Sequence, residues 1–284
     1  MSSYAVWSCD GHKIFYAPYT YNNVVGPERF WNPETMHRFF RRHWSTSIYL
    51  ALGYVVVINA LQKIMESRKP VSMKMILLLW NGFLAAFSLM GTWRFGLEFY
   101  HTATTRSFTD SVCYSVDPRG PASFWACMFA FSKIAELGDT IFLVLRKRPV
   151  IFLHWYHHAV VLICCWHSAV ELTAAGRWFI LMNYFVHSVM YTYYMVVSTG
   201  LKLPKQLSMS VTALQTAQML IGVMISVCVL FLKISGVVCQ QSFDNLAMCF
   251  AIYASFLILF SKFFKTAYLV KKDKIANKST VKVD

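Results

Sequence analysis

The sequence has few charged residues and, among them, very few acidic ones. Asp, Glu, Lys and Arg together make up 14% of its 284 residues, and only 13 residues are acidic, whereas 57% are apolar. Soluble globular domains carry about 25% charged residues, so this composition excludes an ordinary soluble domain. We therefore expect a polytopic membrane protein.

Long polar stretches are also scarce between the apolar runs, which leaves little room for a soluble domain. Each run has about 20 residues, enough for a helix to cross a hydrocarbon core of roughly 30 Å. Only helices or closed barrels satisfy the backbone in lipid, so we predict an all-α membrane protein whose consecutive helices are antiparallel neighbours. The seven predicted spans are residues 46–65, 75–97, 121–145, 150–170, 175–199, 208–232 and 245–268.

These spans form a predicted transmembrane domain of residues 46–268, between an N-terminal segment (1–45) and a basic tail (269–284). No continuous apolar stretch typical of a signal peptide precedes the first span, so we expect the first helix to direct insertion. Lys and Arg are concentrated in the tail and in the connections on its side of the membrane, although three arginines just before the first span oppose this count. By the positive-inside rule, the N-terminus is lumenal and the tail is cytosolic.

The net charge of +14 does not indicate a nucleic-acid partner, because the sequence has no basic module interleaved with aromatic residues. Basic groups at a membrane surface suit a phosphate-bearing ligand or anionic lipid instead. The predicted cytosolic rim consists of Arg146, Lys147, Arg148, Lys202 and Lys205.

The eight cysteines do not form a disulfide framework, because most of them fall inside spans, where they act as small packing residues. Cys113 and Cys239 differ, since both lie in connections on the predicted lumenal side. An oxidising compartment permits a disulfide between them, and two free thiols remain the alternative.

Ionisable residues within the third span are candidates for function, because charges in a membrane are costly and usually face a bundle interior. Lys133, Glu136 and Thr140 follow i, i+3 and i+7 and are predicted to share one helical face, with Asp139 about 60° to the side. A neutralising Lys133–Glu136 pair that only lowers the cost of insertion would leave Asp139 unexplained.

The fourth span carries HWYHH, in which His154, His157 and His158 follow i, i+3 and i+4 and therefore lie within an arc of about 100°. Further polar residues follow at helical spacing in the next two spans. The fifth contains NYFVHSVMYTYY and the sixth contains TALQTAQ, in which two glutamines are candidates for interhelical hydrogen bonds. The candidate residues of these two spans are Asn183, His187, Tyr191, Tyr194, Gln215 and Gln218.

Counting residues from the cytosolic ends of the helices places the charged residues of the third span, the histidine box and His187 at overlapping depths of roughly 6 to 18 Å. They can therefore meet in one chamber that opens toward the cytosol beneath the basic rim. Three chemistries compete for this chamber. A metal-dependent lipid oxygenase or desaturase of the di-iron type would use the histidines as ligands, but the chain has one HxxHH and no second box, and Lys133 would bring a cation toward the metal. A single zinc on three histidines is also geometrically conceivable.

A seven-helix receptor or transporter is suggested only by the number of spans. A receptor has no need of a Lys, Glu, Asp and His cluster, and no paired half-helix pattern indicates inverted transport repeats. The third chemistry is metal-free acyl transfer, in which a histidine is nucleophile or general base and its neighbours orient it or stabilise charge.

Four motifs, KIAELGDT, HWYHH, NYFVHSVMYTYY and TALQTAQ, resemble in order and spacing the signature motifs of the fatty acid elongases of the ELO family. The resemblance covers about residues 35–270. It implies seven transmembrane helices, six of them around an acyl-CoA tunnel that is open to the cytosol and closed toward the lumen. It also implies a very-long-chain 3-oxoacyl-CoA synthase of the endoplasmic reticulum, an acyltransferase that condenses acyl-CoA with malonyl-CoA and needs no cofactor or metal.

The resemblance also implies roles for the matching residues. His157 would accept the acyl group, beside His187, with His154 and His158 supporting the box, while the other candidates line or brace the chamber. Spacing alone leaves open which histidine attacks, and Cys164, seven residues beyond His157 on the same face, remains an alternative nucleophile. Expected partners are membrane lipid, the ketoacyl reductase, dehydratase and enoyl reductase of the elongation cycle, and a homo-oligomer is left open. The segment around Pro149 is similar to the branch that extends saturated and monounsaturated chains, which favours palmitoyl-range substrates.

Overall fold

A computed structural model describes residues 4–270, so most of the predicted basic tail lies outside the described residues. The chain begins with a hairpin of strands β1 and β2, followed by a 3-10 helix at Gly26–Phe30. The strands are β1 (Ala5–Cys9) and β2 (His12–Tyr16). The α-helices of the described part are α1 (Pro33–His43), α2 (Thr46–Glu66), α3 (Lys74–Thr105), α4 (Phe108–Cys113), α5 (Pro121–Glu136), α6 (Gly138–Leu145), α7 (Phe152–Glu171), α8 (Gly176–Ser198), α9 (Lys205–Ile234) and α10 (Phe243–Phe264). Helix α10 continues as a π-helical turn at Lys265–Leu269.

Four helical stretches in residues 4–270 are long and apolar enough to cross a membrane. Their bounds are Thr46–Glu66, Lys74–Thr105, Lys205–Ile234 and Phe243–Leu269. The remaining predicted spans are helical too, but α5 and α6 are short, and α7 and α8 carry the polar candidate residues. Helices α2, α3, α9 and α10 are therefore the best-supported membrane-spanning helices of the described chain.

The third predicted span is interrupted at Leu137, which separates α5 from α6. The Leu137 N–H donates to the carbonyl of Ile134, three residues back, and the next residue is Gly138, a poor helix former. A Cβ at Gly138 would lie 3.1 Å from the Trp80 ring, so the glycine also lets α3 approach closely. The interruption corrects the predicted shared face, because Thr140 contacts Tyr54 of α2, with 2.6 Å between their oxygens, rather than joining Lys133 and Glu136.

Two glycines allow the long helices to pack closely. A Cβ added at Gly91 of α3 would overlap the ring of Tyr184 on α8, and one added at Gly222 of α9 would overlap the ring of Tyr253 on α10. In each case an aromatic ring fills the space over the glycine backbone, as is common where small residues bring membrane helices together. The Tyr184 hydroxyl also donates to the Trp125 carbonyl, which joins α8 to α5.

A buried arginine links several segments by hydrogen bonds at the end of the bundle that the sequence predicts to be lumenal. Arg177, at the start of α8, is 1% exposed and donates to both carboxylate oxygens of Glu98 on α3 at 2.9 to 3.1 Å. Its remaining N–H groups bond the carbonyls of Ser111, Tyr114 and Ser115. A second buried pair joins Arg94 to Glu28 at 2.6 Å and fastens the 3-10 helix to α3.

The hairpin covers the same end. Trp7, Ile14 and Tyr16 form a small core against Leu172, the C-cap residue of α7. The backbone of Ala17 donates to Ser115, and the structure joins Cys113 and Cys239 in a disulfide bond. This end is therefore closed by hydrogen bonds, an apolar core and a covalent link.

We expect Arg177→Met to destabilise the protein strongly, because it leaves Glu98 as an unpaired buried carboxylate. The free energy of unfolding in mixed micelles should fall by about 3–5 kcal/mol, as when one partner of a buried ion pair is removed. Arg38→Met is the matched control, since the Arg38–Asp10 pair is solvent-exposed, and its melting temperature should barely change. Equal effects of the two substitutions would contradict the structural role of Arg177.

Candidate active site

Two cavities of different character meet inside the bundle. The wider one has a volume of about 620 Å³ and is lined largely by polar candidates, whereas the narrower one, about 140 Å³, is lined mostly by apolar side chains. Four residues line both cavities: His157, Asn183, Gln218 and Met219. His157 therefore lies at the junction between a polar and an apolar space.

A chain of buried polar contacts connects α5 with α8. The Lys133 ammonium donates to Glu136 at 2.6 Å and to the side-chain oxygen of Asn183 at 2.9 Å. Asn183 contacts His187 Nε2 at 3.3 Å, and His187 Nδ1 lies 3.7 Å from Glu136. The sequence predicted these four residues as one group, and the structure brings them together across two helices.

The histidine box lies in the first two turns of α7, which begins just after the extended residue Ile151. The rings of His154 and His158 are 4.6 Å apart, and those of His157 and His158 are 5.7 Å apart. Within the described part of the chain, His154 Nε2 and His157 Nδ1 are buried without a hydrogen-bond partner. All three imidazoles line the wider cavity, where they can serve as bases or nucleophiles.

Asp139 also lines the wider cavity, and two hydrogen-bond donors hold its carboxylate. Trp80 Nε1 donates to one carboxylate oxygen at 2.6 Å, and the Tyr191 hydroxyl donates to the other at 2.7 Å. The Tyr191 ring lies 5.4 Å from that of His187, so Asp139 braces the residue beside the histidine. Sequence reasoning missed Trp80, because a tryptophan within an apolar span gives no signal that distinguishes a hydrogen-bond donor from a packing residue.

Three of the predicted substrate-binding residues line the wider cavity, namely Tyr194, Gln215 and Gln218. The Gln215 amide contacts the sulfur of Met190 at 3.2 Å, and the side-chain oxygen of Gln218 is buried with no partner among residues 4–270. Among the described residues, the two glutamines therefore line the cavity with different partners rather than hydrogen-bonding each other.

The predicted basic rim is only partly placed at the cavity. Arg146 lines it, whereas Lys147, Arg148, Lys202 and Lys205 are exposed and do not. Lys147 has a positive φ of 54° and its ammonium donates to the carbonyl of Glu66, so it turns toward the end of α2. Lys205 instead lies over the ring of Tyr268. Lys74, which we did not select as a site residue, lines the cavity with Arg146.

The narrower cavity follows one face of α7 away from the histidine box. Its lining on this helix runs from His157 to Leu172, a rise of about 22 Å at 1.5 Å per residue. Cys164 is part of this face, and its sulfur lies 3.7 Å from that of Cys249 on α10. The combination is a polar chamber with histidines at its inner end, continued by a long apolar channel.

The described residues contain no group of three or more His, Cys, Asp or Glu side chains arranged to hold a metal ion. The box histidines are neighboured by Lys133 and by the rings of Phe256 and Phe260 rather than by a second set of ligands. What the arrangement offers is a set of imidazoles, one buried ammonium and several hydrogen-bond donors.

Comparisons with known proteins agree with the motifs. The sequence pattern of the ELO family, described as the GNS1/SUR4 family, matches residues 39–276. The chain is 48% identical to "Putative fatty acid elongase 4" of Caenorhabditis elegans, over 93% of this chain and 91% of that protein. It is 40% identical to "Very long chain fatty acid elongase 6" of Drosophila melanogaster, over 88% and 80%. It is 36% identical to "Very long chain fatty acid elongase 3" of Homo sapiens, over 91% and 96%.

We expect Lys133→Met to destabilise the protein by about 3–5 kcal/mol, because it strands the buried Glu136 carboxylate. The double variant Lys133→Met/Glu136→Gln should recover much of that loss, since it removes both charges. Both effects are measured as free energies of unfolding in mixed micelles. If Lys133→Met alone were as stable as the unmodified protein, the ion pair would not be the element that holds this site together.

Proposed function

The chain belongs to the ELO (GNS1/SUR4) family, and we propose that it is an enzyme of fatty acid elongation that condenses a long-chain acyl-CoA with malonyl-CoA. The products are a 3-oxoacyl-CoA, carbon dioxide and CoA. This makes it an acyltransferase, a very-long-chain 3-oxoacyl-CoA synthase. Family membership favours neither a metal-dependent lipid oxygenase nor a receptor or transporter.

The observation that carries this proposal is the position of His157 at the junction of the two cavities. An acyl-CoA is itself divided into a polar, phosphate-bearing part and an apolar chain, and the thioester joins them. With the chain in the narrow channel and the polar part in the wide chamber, the thioester carbon lies beside His157. Arg146 and Lys74 then line the chamber that receives the phosphates.

The reaction proceeds in two steps. A nitrogen of His157 attacks the thioester carbon, the carbon–sulfur bond breaks, and CoA leaves with the proton that the imidazole gives up. Malonyl-CoA then loses carbon dioxide, and the electron pair of that bond forms an enolate. The enolate carbon attacks the acyl carbon, the bond to His157 breaks with its electron pair staying on the ring nitrogen, and a proton taken up from solvent restores the neutral imidazole.

The contacts around His157 suit this chemistry. The enolate carries negative charge on the thioester oxygen, and we assign its stabilisation to the hydrogen-bond donors of the Lys133 ammonium and the Asn183 amide, which are held in place by their contacts with Glu136 and His187. Such groups are most effective in a site of low dielectric constant, because they need no reorganisation as charge develops. Asp139 holds Tyr191 against His187 and so limits the movement of its ring.

We further propose seven membrane spans in the endoplasmic reticulum, with the wide chamber facing the cytosol. The disulfide between Cys113 and Cys239 supports this orientation, since it requires the opposite end to lie in an oxidising compartment. Malonyl-CoA and acyl-CoA then enter from the cytosol, and the product leaves toward the reductases and dehydratase that complete the cycle.

Incubation with palmitoyl-CoA alone should leave an acyl adduct on the protein, detected as an increase in intact mass. His157→Ala should show no adduct while retaining the melting temperature and gel-filtration profile of the unmodified protein. His167→Asn is the matched control on the same helix, because asparagine can replace the ring nitrogen that contacts Asn245, and its adduct should form normally. An adduct on Cys164 instead would show that this cysteine, and not His157, is the nucleophile.

Treatment of the purified protein with a strong chelator should leave the condensation of palmitoyl-CoA with malonyl-CoA unchanged, because the proposed steps use only side chains. The measurement is release of carbon dioxide from labelled malonyl-CoA. Loss of activity that iron or zinc restores would exclude this mechanism.

A further inference from the structure

The end of the narrow channel farthest from the histidine box contains an unexplained polar side chain. His37 of α1 lines this cavity and is 4% exposed. Its neighbours in the lining include Trp31, Met36 and Phe40, and its ring makes a T-shaped contact with the ring of Trp7 at a centroid distance of 5.5 Å. An imidazole therefore stands where a purely apolar channel would have an apolar side chain.

Neither ring nitrogen of His37 has a hydrogen-bond partner among the residues that the structure describes. Burial lowers the pKa of His37 to about 4, so the ring is neutral, with one nitrogen able to donate and the other able to accept. Buried polar groups in folded proteins are nearly always hydrogen-bonded, because leaving them unpaired is costly. The cavity is the direction from which a partner can come.

The position of His37 along the channel follows from its neighbours. The lining on α7 ends at Leu172, which packs against the hairpin core that contains Trp7, and Trp7 in turn contacts His37. His37 thus belongs to the end of the channel, about 22 Å from the level of His157 along α7. The rise per residue of a helix slightly exceeds the advance per methylene of an extended alkyl chain, so this distance corresponds to a palmitoyl to stearoyl chain.

We propose that His37 recognises a hydroxyl group at the far end of the acyl chain, which makes ω-hydroxyacyl-CoA, or acyl-CoA hydroxylated close to that end, a substrate class of this enzyme. The inference rests on the proposed condensation and names the chain that it accepts. A terminal hydroxyl would reach the imidazole as donor or acceptor and satisfy one of its nitrogens. A methyl-ended chain of the same length leaves both nitrogens unpaired.

The selectivity follows from the cost of unpaired polar groups. A hydroxyl that enters an apolar channel loses its bonds to water, and only a polar partner at the channel end offsets this loss. A site that hydrogen-bonds a substrate group discriminates against the analogue that lacks it more effectively than an apolar pocket discriminates between chain lengths. The discrimination should depend on chain length, because only a chain that spans the channel brings its hydroxyl to His37.

The test compares kcat/KM for ω-hydroxypalmitoyl-CoA and palmitoyl-CoA, each with malonyl-CoA, in the full-length protein. We expect the unmodified protein to use the hydroxylated chain at least as well as palmitoyl-CoA. His37→Phe should lower the ratio by roughly three- to tenfold, the loss of one hydrogen bond, and His37→Gln should retain part of it. His12→Phe is the matched control, since this exposed histidine lies 6.3 Å from His37 and outside the cavity lining, and it should leave the ratio unchanged.

Two further measurements keep the outcome unambiguous. In the unmodified protein, ω-hydroxymyristoyl-CoA should show no advantage over myristoyl-CoA, because its hydroxyl stops short of His37.

The rise in melting temperature on adding each acyl-CoA reports binding without catalysis. If the protein does not condense palmitoyl-CoA, the proposed function is overturned, and this binding measurement still tests the role of His37. Rejection of the hydroxylated chain, or an equal ratio in His37→Phe and the unmodified protein, overturns the role of His37 and indicates a bound water or a packing role.

Discussion

The ion pair between Lys133 and Glu136 is the interaction on which the arrangement of the site depends. Two opposite charges can stay inside an apolar bundle only when they neutralise each other and the remaining hydrogen-bonding capacity is filled. Asn183 fills it from α8, and in doing so it connects the pair to His187. The cost of burying charge thus fixes the relative position of α5 and α8, and the same contacts hold the ammonium and amide groups that donate to the proposed enolate.

Much of this molecule could be predicted from the sequence because the relevant signals are local. Apolar runs predict the helices, since lipid leaves the backbone few alternatives, and the spacing of His154, His157 and His158 predicts that they share a face. The grouping of Lys133 with His187 followed from their depth, and Asn183 was added because it shares a helical stripe with His187. These predictions depend on helix geometry, which varies little from one protein to another.

Other features could not be predicted, because they depend on tertiary contacts that leave no periodic pattern. The break at Leu137 is followed by Gly138, over which Trp80 packs closely, and beyond the break Thr140 contacts Tyr54 instead of the site. The rim was predicted from charge density, but side-chain direction decides which cations face the chamber, so Lys74 and Arg146 line it and Lys147 does not. The apolar channel and His37 at its end arise from α1 and the hairpin, whose sequence resembles an ordinary amphipathic segment.

The bond between Cys113 and Cys239 also constrains the order in which the protein is assembled. The two cysteines are separated by 126 residues, so the first must remain unbonded while α5 to α9 are synthesised and inserted. Only after Cys239 has left the ribosome and reached the same side of the membrane can the thiols meet. In the proposed seven-span topology an even number of crossings separates the two cysteines, so a chain that misses one of these crossings would place them on opposite sides of the membrane and could not form the bond.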